Sequence, residues 1–378
     1  ITPVRERWHG LTADALQANG GAPIDIAQHL LAAGRSDEAV PLCLIAAEKA
    51  ELEYAHADAA ALYERILPHL GEEEGQRATV LCRLGAAYWG AAQPSAAYGY
   101  LDAGVGLLDR AGDVRGAAHY RLIQGQCAWE IGKSEEAPRH YERARTELEA
   151  DGPSRDLAYA YVNLARVSLT ALDANAVVLQ AGKAMTIADS AAAGDIMVRA
   201  QTLLGVGQAL SGNVDDGLRT LNRGFENAMR LRLHSTALSA ATNSTILRCN
   251  SYRAAEALDR LELLQQVPES PAKALATSHI EGLASYPLGE LPRAALAYER
   301  EMSIGRTVGH PRHIIRGRKG LADCLFGMGR DSEASAINPE GQELDGFEDR
   351  VWGTMATIRR RLYHYDLAGI DESARLIF

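Results

Sequence analysis

The chain has 378 residues, 47% of them hydrophobic, 23% charged and only 6% aromatic, a balance ordinary for a globular protein and long enough that building a core is no constraint. Its 49 acidic and 39 basic side chains leave a formal charge of −10 without a long run of either sign, which argues against a nucleic-acid-binding or membrane-binding surface. No window holds the run of about 18 apolar residues that a membrane helix needs, and no basic-then-apolar leader opens the chain.

Cys43, Cys82, Cys127, Cys249 and Cys324 are odd in number and widely spaced, with no C-x-x-C pair. They predict small core residues, no zinc site and a reducing, cytoplasmic compartment. The first residue is Ile1 where a complete chain would start with methionine, so the expectation is a piece of a longer protein.

Residues 1–70 read as a helical linker and the first atypical repeats. Gly34-Arg35-Ser36-Asp37-Glu38-Ala39 has the composition of a turn between helices: glycine stops one, Ser36 caps the next, and acids occupy its first turn. This places a repeat anchor at Ala27, and a half-overlapping unit follows with Ala59 and Tyr63 in second-helix positions.

Residues 71–337 carry a period of forty. Small residues recur at Gly85, Gly125, Ala165, Gly205 and Thr245, then at Gly282 and Ala322; only the step from Thr245 to Gly282 is shorter, by three. Twelve residues after the anchors stand Ala97, Ala137, Val177, Gly217, Ala257, Ala294 and Ala334, small enough for a second helix to cross closely over the first. Sixteen after them come Leu101, Tyr141, Leu221, Leu261 and Tyr298, and seven after them Gly132, Gly212, Gly289 and Gly329 end the first helix. The predicted fold is all-α, a right-handed superhelical α-solenoid of helix pairs, each unit too small to bury its own apolar face alone. Residues 338–378 break the register at Asn338-Pro339-Glu340-Gly341 and read as a capping segment with one more helix.

Several local patterns are better explained by this register than by chemistry. Gly132-Lys133-Ser134 matches half of a phosphate loop, but Cys127 stands where the first glycine is required. Gly205-Val206-Gly207 lacks a preceding strand and a third glycine. His310 and His313 have a zinc-like spacing with proline between them, and a loop entering a helix accounts for them. Glu135 and Glu136 sit at a helix start, and Arg359, Arg360 and Arg361 form one solvated face. No catalytic centre, metal site or cofactor site is read, and the expectation is a protein that is not an enzyme.

Leu84-Gly85-x2-Tyr88 with Ala97 resembles the tetratricopeptide pattern, in units of forty residues rather than thirty-four. The opening Ile1-Thr2-Pro3-Val4-Arg5-Glu6-Arg7-Trp8-His9 with Ala13-Asp14-Ala15-Leu16 resembles the stretch after the winged-helix module of bacterial STAND-type signalling ATPases. These include MalT-like and LuxR-type large regulators and cyclase-linked relatives. Ile26-Ala27-Gln28-His29-Leu30-Leu31-Ala32-Ala33-Gly34, continuing to Glu48-Lys49-Ala50, is similar to the start of their repeat region. The resemblance implies a sensor arm that binds a small-molecule inducer, peptide or protein and controls an ATPase module elsewhere in the chain, in a transcriptional regulator. A free-standing scaffold for protein partners is the alternative.

In such an array the first helices line the concave side, so residues six and three before each anchor, and one and four after it, are expected to face inward. Those rows supply the candidate binding residues Trp89, His119, Gln126, Trp129, Tyr159, Arg166, Arg199, His279 and Tyr286. Aromatic rings beside arginines suit a peptide carboxylate or a polar small molecule. The competing explanation is that the aromatics fill seams between successive helix pairs.

Overall fold

A computed structural model describes residues 2–70, 74–133, 135–308 and 311–337. The capping segment 338–378, together with Ser134 and His310, lies outside the described residues. The chain divides into two compact units, Ile1–Gly152 and Pro153–Phe378. In the first, α1 (Thr2–Ala18), α2 (Pro23–Ala32), α3 (Ser36–Leu52) and α4 (His56–Ile66) precede the pairs α5 (Glu74–Gly90) with α6 (Pro94–Ala111) and α7 (Val114–Glu130) with α8 (Glu136–Glu149). In the second, α9 (Arg155–Thr170) pairs with α10 (Ala174–Ser190), α11 (Gly194–Leu210) with α12 (Val214–Arg230), and α13 (His234–Asn250) with the short α14 (Ala254–Asp259). Then α15 (Pro271–Ser285) pairs with α16 (Leu291–Val308) and α17 (Pro311–Gly327) with α18 (Asp331–Ile337). Among the described residues the secondary structure is entirely helical.

The period has a simple mechanical origin. α10, α11, α12 and α13 are each 17 residues long and are separated by three-residue joints. A left-handed residue recurs in these joints every twenty positions: Gly112, Gly132, Gly152, Leu172, Ala192, Gly212, Arg232 and Tyr252. Each joint closes the preceding helix, as where the Gly212 amide bonds to the Ala209 carbonyl and the Asn213 amide to the Gln208 carbonyl. Leu172 adopts φ 57° and is 73% exposed, so little packing offsets the cost of that backbone conformation. Leu172→Gly is therefore expected to raise unfolding free energy by about 1 kcal/mol, measured as a shift in urea midpoint.

The anchors do what their size demands. A Cβ at Gly85 would lie 2.6 Å from Leu101 Cγ, at Gly125 2.5 Å from Tyr141 Cε1, at Gly205 2.8 Å from Leu221 Cγ, and at Gly282 2.8 Å from Tyr298 Cε1. These partners are the residues sixteen positions on. Ala97, Ala137, Val177, Ala257 and Ala294 of the twelve-on row are fully buried. The one short step falls where α14 ends after six residues and a 3₁₀ segment, Arg260–Gln266, takes over. A 3₁₀ helix rises about 2.0 Å per residue against about 1.5 Å in an α-helix, so fewer residues cover the span.

One joint departs from expectation. Ser36 does not cap α3: Arg35 occupies the N-cap and no side chain caps there, while the Ser36 hydroxyl lies 2.9 Å from His69 Nδ1. The turn is held by the Arg35 guanidinium instead, which forks onto both oxygens of Glu38 at 2.6 Å. The same fork joins Arg253 to Glu256 and Arg330 to Glu333. A bidentate arginine three residues before a glutamate spans the first helical turn and neutralises the acid that the helix dipole favours there.

In the second unit the first helices α9, α11, α13, α15 and α17 touch one another in succession, whereas no contact of similar extent joins α10 to α12 or α12 to α14. The more closely spaced layer is the inner one. Cys82, Cys127 and Cys324 are fully buried, and burial pushes each thiol up to about 12, so they are inert packing groups.

Candidate binding surface

In the first unit, Trp89 near the end of α5 is half-buried against a cluster of Ala97, Leu101 and Cys127. His119 on α7 is exposed, its ring edge-on to Tyr120 at 5.0 Å between centroids. Gln126 is buried and Trp129 half-buried on the same helix.

Beneath this surface lies a charged network that the sequence did not announce. Arg121 of α7 is 2% exposed and pairs with Asp109 of α6 and Glu147 of α8; Arg143 of α8 reaches the same two carboxylates at 3.0 Å each. Two cations and two anions thus tie three consecutive helices together. Closer to the joint, the Tyr98 hydroxyl donates to Glu136 while the Lys133 ammonium sits 4.3 Å above the Tyr98 ring. Lys133 is occupied by this contact and by Glu136 at 3.1 Å, as a turn residue.

In the second unit, Tyr159 and Arg166 lie on α9 and Arg199 on α11. The Arg199 guanidinium carbon stands 6.0 Å from the centre of the Tyr159 ring. Arg166 donates from Nη1 to Asn163 Oδ1 at 3.2 Å, and Asn163, nearly fully buried, donates from Nδ2 to the Tyr159 carbonyl at 2.9 Å. Arg155 of α9 and Asp195 of α11, forty residues apart, form a two-pronged pair at 2.6 Å. The guanidinium bonds hold the Asp195 carboxyl below its ordinary value.

The row three before the anchors sits against the second helices. Thr202 is buried with its hydroxyl on the Val198 carbonyl, and a Cβ at Gly224 of α12 would lie 3.4 Å from Thr202 Oγ1. His279 of α15 is likewise buried, its Nδ1 3.1 Å from one oxygen of Glu301 on α16. The other oxygen lies 2.7 Å from Nδ1 of His313 on α17. Glu301 is fully buried. Burial pushes its carboxyl up, but the hydrogen bonds from His279 and His313 outweigh burial and leave it below the usual carboxylate range. His313, read from sequence only for a zinc-like spacing with His310, is thus part of a carboxylate bridge between three helices. Tyr286 is half-buried at the end of α15, against the cluster of Ala294, Tyr298 and Leu325.

Of the nine candidates, the structure therefore brings Arg199 over the Tyr159 ring, links Arg166 to Asn163 on the Tyr159 helix, and turns His279 into the helix-pair interior. Glu301, Asn163 and the Arg155–Asp195 pair escaped sequence reasoning. The last had a signal, because both residues stand ten before their anchors.

No protein-family model matches the chain, and no curated protein matches it. Solved structures do. A Rap protein in complex with Competence and Sporulation Factor aligns over 89% of this chain and 95% of its own at 10% identity, with a TM-score of 0.58. The apo form of RapI aligns over 89% and 96% at 12% identity, TM-score 0.54. A STAND protein with a tetratricopeptide repeat sensor from Pyrococcus horikoshii aligns over 99% of this chain and 55% of its own, at 12% identity and a TM-score of 0.46. The likeness is one of fold. The chain is a tetratricopeptide-like helical repeat protein in architecture, and no helix among the described residues is long and apolar enough to cross a membrane.

Proposed function

We propose that the chain is a non-enzymatic regulatory arm whose first-helix surface binds a peptide, a protein segment or a small-molecule inducer, within a larger STAND-type regulator. The observation that carries this reading is the arrangement of Tyr159, Arg166 and Arg199 on adjacent first helices, with aromatic and guanidinium groups on the inner layer of a repeat unit. Repeat layers of this kind present extended surfaces on which aromatic and arginine groups act as anchors. The Rap structure that shares the fold holds Competence and Sporulation Factor, which supports ligand binding as a use of this architecture. The resemblance of residues 1–50 to the repeat entry of STAND regulators supports the wider assignment.

The test is twofold. The codons preceding Ile1 in the parent gene are expected to encode a Walker-type ATPase module, and its nucleotide turnover is expected to change when the arm binds its ligand. A parent gene without such a module would sink the regulator assignment.

A free-standing scaffold is the second reading, favoured by one observation. On the second helix α10, Val178, Leu179, Gly182, Lys183, Thr186 and Ile187 line a shallow, mostly apolar patch, with Leu179 60% exposed. Such a patch suits a protein neighbour. Under this reading Leu179→Glu abolishes capture of a specific protein from a lysate, while Arg199→Gln leaves capture unchanged. The opposite pattern favours the arm.

A further inference from the structure

Two arginines of nearly equal burial have very different surroundings. Arg121 in the first unit is 2% exposed and has Asp109 and Glu147 as direct partners. Arg248 near the end of α13 is 3% exposed, yet no carboxylate lies within hydrogen-bond distance of it among the described residues. Its Nη1 donates to the carbonyl and hydroxyl of Ser244, one turn back on the same helix, and its buried Nε donates to nothing. The Glu256 carboxylate stands 3.7 Å from that Nε, but Arg253 takes both of its oxygens at 2.8 Å and also reaches Asp215 at 2.7 Å. Arg260, the first residue of the 3₁₀ segment, is half-buried and makes no ion pair among the described residues. Burial, and then the nearby Arg260 and Arg253 charges, hold the Arg248 guanidinium below its ordinary value. A buried cation with an unmade donor and a second cation beside it is costly unless an anion joins them.

We propose that Arg248 and Arg260 bind one phosphoryl dianion, either free phosphate or a monoester of a small molecule. Arg253 is matched by Glu256 and Asp215, which leaves two guanidinium charges for the ligand. A phosphate monoester carries about −1.5 to −2 charge near pH 7, whereas a carboxylate would balance only one of the two. Arg248 Nε and the Arg260 guanidinium supply charge-assisted bonds to its oxygens. Burial excludes a nucleic-acid strand, whose phosphates are monoanionic diesters with sugar on both sides. The cover over Arg248 is lightly built, because α14 stops after six residues. It and the 3₁₀ segment touch α13 and α15 far less extensively than the full-length second helices touch their neighbours. Local opening there admits a small ion. The inference goes beyond the first-helix surface around Tyr159 and stands or falls separately from it.

The test is isothermal titration calorimetry of the whole chain at pH 7.5 or about one unit above the second phosphate pKa of about 6, with ionic strength fixed by chloride. Inorganic phosphate is expected to bind in one equivalent, while dimethyl phosphate and acetate are not. Binding of inorganic phosphate alone assigns the free ion, and binding of methyl phosphate as well assigns a monoester; either supports the site. R260Q is expected to weaken phosphate binding at least about tenfold, and R248M to abolish it, whereas R223Q, exposed on α12, leaves it unchanged.

Urea unfolding separates loss of the ligand from damage to the fold. In phosphate-free buffer R248M is expected to unfold no earlier than the natural protein, since it removes a buried charge that has no close acceptor. In saturating phosphate the natural protein gains in midpoint and R248M does not. No binding of phosphate, undiminished binding in R260Q, or equal binding of dimethyl phosphate or acetate would overturn the assignment. An R248M deficit of the same size with and without phosphate would overturn it as well.

Discussion

Glu301→Ala is expected to destabilise the second unit by about 3–5 kcal/mol, the range found when one partner of a buried charged cluster is removed. The side chain is fully buried and accepts from His279 and His313 on the two flanking helices, so its loss leaves two imidazoles without their acceptor as well as a cavity. The effect should be local, with amide exchange accelerating across α15, α16 and α17 while α9 to α12 keep their protection. Unchanged protection in α15–α17 would contradict the bridge.

The same carboxylate fixes a pH dependence. Its folded value lies below its ordinary one, so the folded protein binds fewer protons at this site than the unfolded chain. The stabilisation is complete above the unfolded value, about 4.3 for glutamate, and is lost as pH falls through the lower folded value. The gap in urea midpoint between the natural protein and Glu301→Gln should therefore close as pH falls below the unfolded glutamate value of about 4.3.

Arg121→Ala is expected to cost the first unit a similar amount, about 3–5 kcal/mol. Arg121 is almost wholly buried between Asp109 and Glu147, and truncation leaves Arg143, which is 57% exposed at its side chain, to satisfy both carboxylates alone. Arg121→Lys keeps the charge but cannot reach two carboxylates with one fork, so an intermediate loss is expected. Urea unfolding followed through the emission of Trp89 and Trp129, which lie on α5 and α7, reads the change. A lysine variant as damaged as the alanine variant would show that geometry, not charge, dominates.

The architecture was legible because one steric demand is written many times over. Gly85, Gly125, Gly205 and Gly282 each meet the large residue sixteen positions on, so four independent copies of a close crossing reported the same register. The charged interior was not legible for the opposite reason. Glu301 follows Glu299 and Arg300, and a lone acid in such a run looks like part of a solvated face until α15 and α17 close on either side of it. Arg121 was hidden in the same way.

The joints were half readable. Glycine marked the helix ends, but the Arg35–Glu38 fork was masked by Ser36, whose residue type made capping the natural expectation. Of the candidate site, Tyr159, Arg166 and Arg199 came from the row rule alone. Arg155 and Asp195, like Tyr159 and Arg199, hold one repeat position on successive units, but periodicity does not say which of these side chains meet across the two helices.

The three-residue joints have a further consequence, for the order in which the chain folds. Almost every extensive contact joins helices adjacent in sequence or one helix removed, so the loops closed on folding are short and structure can start in any pair and spread outward. Spreading depends on each new helix gaining a full-length neighbour. At Ala254–Asp259 it gains six residues and a 3₁₀ segment instead, making this the least cooperative junction of the second unit. Under gentle denaturation the unit should tear there first, with α15–α18 and α9–α13 parting as two blocks rather than fraying from an end.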